Sequence, residues 1–237
     1  GMGGAINTNS TLGSSNFSGS IQSTAKVNAT AGFSIVTYTS PNNSSDQTVG
    51  HGLGVKPSLI IVKNRDNTYN WDIYHSSLGY NASLTFTNAN TRSGAFGAEP
   101  TSTVYTSKNN FTHASTNKYV AYVFSEVAGL SKFGKYTSNG NNDGTFVFTN
   151  FRPALVIFKN TSSTEAWSMF DNKRDPDNPV EKFLRPSGNN ADTSGSNDID
   201  FLSNGFKART SNNPNVGTNT YIYLAFAEAP FRNARAR

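Results

Sequence analysis

Hydrophobic positions along this chain fall in short runs, each bounded by turn-forming residues. Some runs alternate. Trp71-Asp72-Ile73-Tyr74 would place Trp71 and Ile73 on one face of a strand and Asp72 and Tyr74 on the other. Others are apolar throughout, as at 59–62, 119–124 and 221–227, which predicts strands covered on both faces. Further strands are expected at 33–38, 84–86, 103–105, 133–137 and 145–149. Pro41-Asn42-Asn43-Ser44-Ser45, His51-Gly52-Leu53-Gly54, Asn139-Gly140 and Asp143-Gly144 supply turns between them.

The pattern occurs twice. Pro57-Ser58-Leu59-Ile60-Ile61-Val62-Lys63-Asn64 leads to Trp71, and Pro153-Ala154-Leu155-Val156-Ile157-Phe158-Lys159-Asn160 leads to Trp167 at the same spacing. Seven of the 15 positions in 57–71 are identical to those in 153–167, where chance gives roughly one. The offset is 96 residues at the tryptophans and 102 at the closing strands (Tyr119 and Tyr221), a difference that loop length accounts for. The chain is therefore expected to be all-β, built of two tandem, sequence-related antiparallel β-sandwich units of jelly-roll or lectin-like type, each about 100 residues. The divisions expected are an arm or linker at 1–31 that contributes at most one edge strand, repeats at 32–130 and 131–231, and a basic tail at 232–237. Gly1, ahead of Met2, reads as a tag scar. The two doubly apolar strands in each copy imply that the copies pack together or that the protein is a homo-oligomer.

Composition agrees with many strands and polar turns: 35% hydrophobic, 15% charged and 12% aromatic. The net charge of +5 includes Arg232, Arg235 and Arg237, without which it is +2, so no basic stripe tracks a nucleic-acid backbone. The chain has no cysteine, hence no disulfide or thiolate-metal site. No apolar run is long enough to span a bilayer, so no membrane insertion is expected.

Several stretches resemble a family found in tail-fibre and other virion structural proteins of tailed bacteriophages, particularly marine ones. They are Ala31-Gly32-Phe33-Ser34-Ile35-Val36-Thr37-Tyr38-Thr39, Gly50-His51-Gly52-Leu53-Gly54, Leu59-Ile60-Ile61-Val62-Lys63-Asn64-Arg65 and Asn70-Trp71-Asp72-Ile73-Tyr74-His75. Asp198-Ile199-Asp200-Phe201-Leu202-Ser203-Asn204-Gly205-Phe206-Lys207 and Phe226-Ala227-Glu228-Ala229-Pro230-Phe231 complete the set. The resemblance implies a virion protein, assembled in the bacterial host cytoplasm, with tandem β-sandwiches similar to lectin or laminin-G-like modules. Its partners would be other virion proteins and host surface glycans. It transfers no catalytic or binding residue.

On that reading the candidate glycan contacts are Tyr69, Asp72, Tyr74 and His75 in the first copy, with Asp171 and Arg174 in the second. Tyr69 and Tyr74 are the preferred stacking faces, because Trp71 and Trp167 share their predicted faces with Ile73 and Met169 and read as core. Their counterparts in the second copy are Glu165 and Phe170. Asp171, Asp175, Asp177 and Asn178 could offer oxygens to Ca²⁺, but the spacing lacks the EF-hand glycine and glutamate, and a polar turn is the better account. Asp198 and Asp200 lie two apart on one strand face, the weak basis for a polysaccharide-depolymerase alternative that would pair one of them with Asp171. His51, His75 and His113 have no zinc spacing, and no Gly-x-Ser-x-Gly elbow or phosphate fingerprint is present. Glu126 and Glu228 recur at the closing strands and are expected to pair with Lys63 and Lys159. The expected protein is a non-enzymatic glycan-recognition module without cofactor or metal, with a purely structural decoration or tail-assembly role as the alternative.

Overall fold

The computed structural model describes residues 13–87 and 90–229. The tail at 232–237 and the first 12 residues of the arm lie outside them. Every regular element among the described residues is a strand, and none of them forms a helix long and apolar enough to cross a membrane. The chain divides into two compact units, Gly1–Thr85 with Arg92–Glu126, and Phe86–Thr91 with Val127–Arg237. The arm differs from expectation. It supplies two strands to the first unit, β1 (Ser14–Asn16) and β2 (Ser23–Asn28), and β2 pairs along its full length with β3 (Phe33–Thr39). Its isolated apolar residues suffice because Ile21 and Ala25 reach the core.

The first unit continues with β4 (Gln47–Gly50), β5 (Leu59–Asn64), β6 (Trp71–His75), β7 (Ala82–Thr85), β8 (Arg92–Ser93), β9 (Val104–Ser107) and β10 (Lys118–Phe124). Its large antiparallel sheet runs β1-β2-β3-β10-β5-β6-β7-β8, and β4 pairs with β9 in a second sheet. Val36, Tyr38, Val49, Ile60, Val62, Tyr74, Phe96, Tyr105 and Tyr119 form the core. On β10, Tyr119, Ala121 and Val123 are buried while Val120, Tyr122 and Phe124 are half-buried. The apolar run there is thus one core face and one thinly covered face.

The second unit holds β11 (Ser131–Thr137), β12 (Phe146–Phe148), β13 (Pro153–Asn160), β14 (Ser168–Asp171), β15 (Phe183–Leu184), β16 (Ile199–Leu202), β17 (Gly205–Ala208) and β18 (Thr220–Ala227). One sheet is ordered β11-β18-β13-β14-β15 and the other β12-β17-β16. On β18, residues 221–225 are all buried, so that strand is covered on both faces as its sequence predicts. The fully buried Trp167 is core, whereas Trp71 is half-buried and stacks on Tyr122 at 6.2 Å.

Particular contacts recur at corresponding positions. Tyr38 stacks on Tyr119 at 5.2 Å, and Tyr136 on Tyr221 at 5.3 Å. The Asn64 amide donates to the Tyr119 hydroxyl at 3.0 Å, and the Asn160 amide to the Tyr221 hydroxyl at 3.2 Å. A buried tyrosine needs its hydroxyl partnered, and an asparagine at the strand end supplies the donor. The Asn64 amide oxygen in turn accepts the Asp66 and Asn67 amides, and Asn160 accepts that of Ser162, so each asparagine also starts the following loop.

Candidate functional site

The two loops started by these asparagines carry the surface features that can bind a ligand. In the first unit, Lys63 turns its ammonium onto the carbonyl oxygens of Asn67 and Tyr69. In the second, Lys159 does the same to Ser163 at 3.4 Å and Glu165 at 2.6 Å. The recurrence of Glu126 and Glu228 predicts that they pair with these lysines. Glu228 instead binds Arg152 at 3.0 Å and accepts the Asn172 amide at 3.0 Å, while the lysines serve as loop clamps. A lysine stem lying along a sheet can deliver its charge to carbonyls that would otherwise lack donors.

Beside the first loop is a notch of about 130 Å³ lined by Tyr69, Asn70, Asp72, Arg92, Asn110 and Phe111. Its volume corresponds to about four waters, enough to seat an edge or substituent of a sugar ring. Tyr69 stands at its rim with 56% of its surface exposed. Asp72 is buried on β6 and forms an ion pair with Arg92 of β8. The Arg92 guanidinium lies 5.0 Å from the Phe111 ring centroid, with the Lys108 ammonium 5.9 Å away from the same ring. Burial lowers the Arg92 pKa, but a guanidinium stays charged in that environment. Asn110 adopts a left-handed conformation (φ 65°) beside Phe111, a backbone state that asparagine tolerates better than most residues. The notch therefore presents an exposed aromatic face, a compensated ion pair and an amide.

Two of the six predicted contacts, Tyr69 and Asp72, meet there. Tyr74 and His75 do not: both are fully buried. Tyr74 faces the core against Phe96 at 5.7 Å and donates its hydroxyl to Glu99 at 2.8 Å. His75 Nδ1 accepts the Ser77 amide at 3.2 Å. The alternation on β6 assigned their faces but not the cover over both. In the second unit the Asp171 carboxylate is occupied by its own turn, accepting the Lys173 amide at 3.0 Å, the Arg174 amide at 2.8 Å and Arg174 Nε at 3.2 Å. Arg174 also reaches Asp192 at 3.7 Å. Asp175 accepts the amides of Glu181 and Lys182, and Asn178 exchanges bonds with the Phe201 backbone, so the polar-turn reading describes this loop. Asp200 is held by Arg209 at 3.3 Å, and the Asp198 pKa is raised by burial and by Glu181. His51 is locked in a turn. Its Nδ1 accepts the Leu53 amide at 3.2 Å, its Nε2 lies 3.2 Å from the Thr101 carbonyl, and burial lowers its pKa to about 4.

Arg92, Asn110 and Phe111 carry no local signature in the sequence. Arg92 comes from β8, two strands from β6 in the sheet, and Asn110 and Phe111 from the turn that follows β9. The second unit has a larger hollow beside Glu165, the counterpart of Tyr69, with a volume of about 410 Å³. None of the predicted contacts lines it. The chain belongs to the family described as a domain of unknown function (DUF7483), whose model matches residues 7–230. No curated protein and no solved structure matches it.

Proposed function

We propose that the chain is a non-catalytic glycan-recognition protein of a bacteriophage particle, a tail-fibre or receptor-binding module. It would be assembled in the host cytoplasm and anchored through other virion proteins. The observation that carries the binding part of this reading is the exposed Tyr69 ring beside the ion pair of buried Asp72 with half-buried Arg92. An aromatic face held by a clamped loop packs on the apolar face of a pyranose with little loss of side-chain entropy. The charges beneath it are mutually compensated, which suits a neutral, hydroxyl-rich ligand. Each site is small, so attachment to a cell would rely on several copies acting together. The virion setting rests on the sequence resemblance alone. The non-catalytic part is supported by the acidic residues: Asp72 and Asp200 are held by arginines, and Asp171 by its own turn.

The test is a panel of bacterial surface glycans probed with multivalently displayed protein. Saturable binding, competed by free sugar, with no release of reducing ends, is expected; glycan cleavage or absence of binding overturns the reading.

A second reading, assembly with virion partners only, is favoured by Phe146 and Phe148. Their rings are 44% and 51% exposed on β12, an edge strand of its sheet. Replacing both by Ser would then abolish capture of virion proteins while leaving glycan binding intact.

A further inference from the structure

We infer that the second unit carries a separate cleft for a carboxylate-bearing sugar, with Arg185 as its anion-binding residue. This rests on the glycan reading and extends it to a second ligand class. The hollow of about 410 Å³ beside Glu165 falls in the size range of small-ligand sites. Its floor is aromatic: Phe183 is buried and stacks on Phe170 at 5.2 Å. The Arg185 guanidinium sits 5.6 Å above the Phe183 ring. Among the described residues no carboxylate pairs with Arg185. Arg92 in the first unit is by contrast neutralised by Asp72, and Arg174 by Asp171 and Asp192. A guanidinium resting on a ring keeps its N–H fork available for an incoming carboxylate.

Asn197, Asn212 and Asn213 line the same hollow. Asn212 spends its amide nitrogen on the Ser196 carbonyl at 3.2 Å, and Asn213 spends its own on Ser168 Oγ at 2.9 Å. Asn197, oriented to satisfy its neighbours, donates to the carbonyls of Asn213 at 2.9 Å and Ser196 at 3.1 Å. Asn197 spends both N–H groups inside the protein and Asn212 one of its two, so their amide oxygens can accept from ligand hydroxyls. Arg185 without an ion-pair partner among the described residues and amide oxygens able to accept hydroxyls line one hollow, with the Glu165 carboxylate turned to the Tyr221 hydroxyl at 3.5 Å. That set matches a sugar carrying a carboxylate better than a neutral sugar or a simple anion.

The experiment compares binding of the full chain to immobilised polygalacturonate and to a neutral glycan bound by wild type, with galacturonate, galactose and acetate as competitors. Wild type should bind polygalacturonate, be displaced by galacturonate, and resist galactose or acetate at equal concentration. Arg185→Gln should weaken this binding about tenfold or more, as expected for loss of a charged hydrogen bond. Arg185→Lys should retain part of it, and Tyr69→Ala should leave it unchanged. Equal binding by Arg185→Gln and wild type, equal competition by acetate, or no binding to polygalacturonate overturns the inference. Neutral-glycan binding lost in Tyr69→Ala, read in the same assay, shows whether the first site stands on its own.

Discussion

The loop after β5 and the loop after β13 start from the same device and end in different surfaces. In both, an asparagine caps the strand and binds a buried tyrosine hydroxyl, and a lysine clamps the carbonyls six residues or fewer ahead. At the rim, the first loop exposes Tyr69 over a neutralised ion pair, whereas the second contributes Glu165 to a hollow that Arg185 also lines without an ion-pair partner among the described residues. The lysines differ too. Lys63 is half-buried, while Lys159 is fully buried and its pKa falls to about 8, burial outweighing the attraction of Glu165. A framework fixed by backbone hydrogen bonds can thus hold its geometry while the side chains at its rim change ligand chemistry.

The two carboxylates that the sequence offers as equivalent ligand contacts should differ most when removed. Asp72→Ala leaves the partly buried Arg92 without its partner and should cost about 3 kcal/mol. Asp171→Ala removes a turn cap and a partly exposed ion pair with Arg174, which keeps Asp192, and should cost about 1 kcal/mol. Urea midpoints of the two variants check the ordering, and equal losses would mean that the Asp72–Arg92 pair is not the support of the first site.

Acid should separate the units next, because all three histidines lie in the first. His51 titrates near pH 4 when folded and near 6.5 when unfolded, so the unfolded state takes the proton first. Stability present above pH 6.5 is therefore lost as pH falls toward 4, by up to about 3 kcal/mol. The lowered pKa of His113, again chiefly from burial, adds loss of the same sign. Urea midpoints at pH 7, 5 and 4 should fall, and His51→Gln should flatten the fall. An unchanged midpoint in the wild type would contradict the buried neutral imidazole.

Base should act on the second unit in the opposite sense. The pKa of Lys159 is depressed on folding, so the cost of burying its charge is present in full below pH 8 and is relieved as pH rises through 8 toward 10.5. Between pH 8 and 9.5, before the tyrosines matter, stability should rise by about 1 to 2 kcal/mol. Lys159→Met should abolish that rise, and a rise that persists in the variant would assign it elsewhere.

Much of this architecture was legible. The apolar runs predict the strands, and the repeated stretches ending at Asn64 and Asn160 coincide with β5 and β13. The site was half legible. Tyr69 stood out as an aromatic in a polar loop, and Asp72 as a charge within a strand. Tyr74 and His75 were misplaced because a periodicity of two distinguishes faces without saying whether both are covered. Arg92, Phe111 and Arg185 carry no local signal, since each reaches its hollow from a stretch of chain separate from the loop after β5 or β13. Asp171 and Arg174 were read as ligand contacts, yet their spacing of three suits a self-capping turn.

The smallest expected effect on stability is the most informative for function. Tyr69 is an exposed loop residue, so Tyr69→Ala should change stability by less than about 0.5 kcal/mol while weakening neutral-glycan binding. The direct measurement is a nuclear magnetic resonance titration of the isotope-labelled wild-type chain with a neutral oligosaccharide selected from the glycan panel. Shifts centred on the backbone amides of Tyr69, Asn70, Asn110 and Phe111, absent from Tyr69→Ala, are the predicted result. Shifts centred on Phe146 and Phe148, or a response that Tyr69→Ala leaves intact, would contradict glycan recognition at this site.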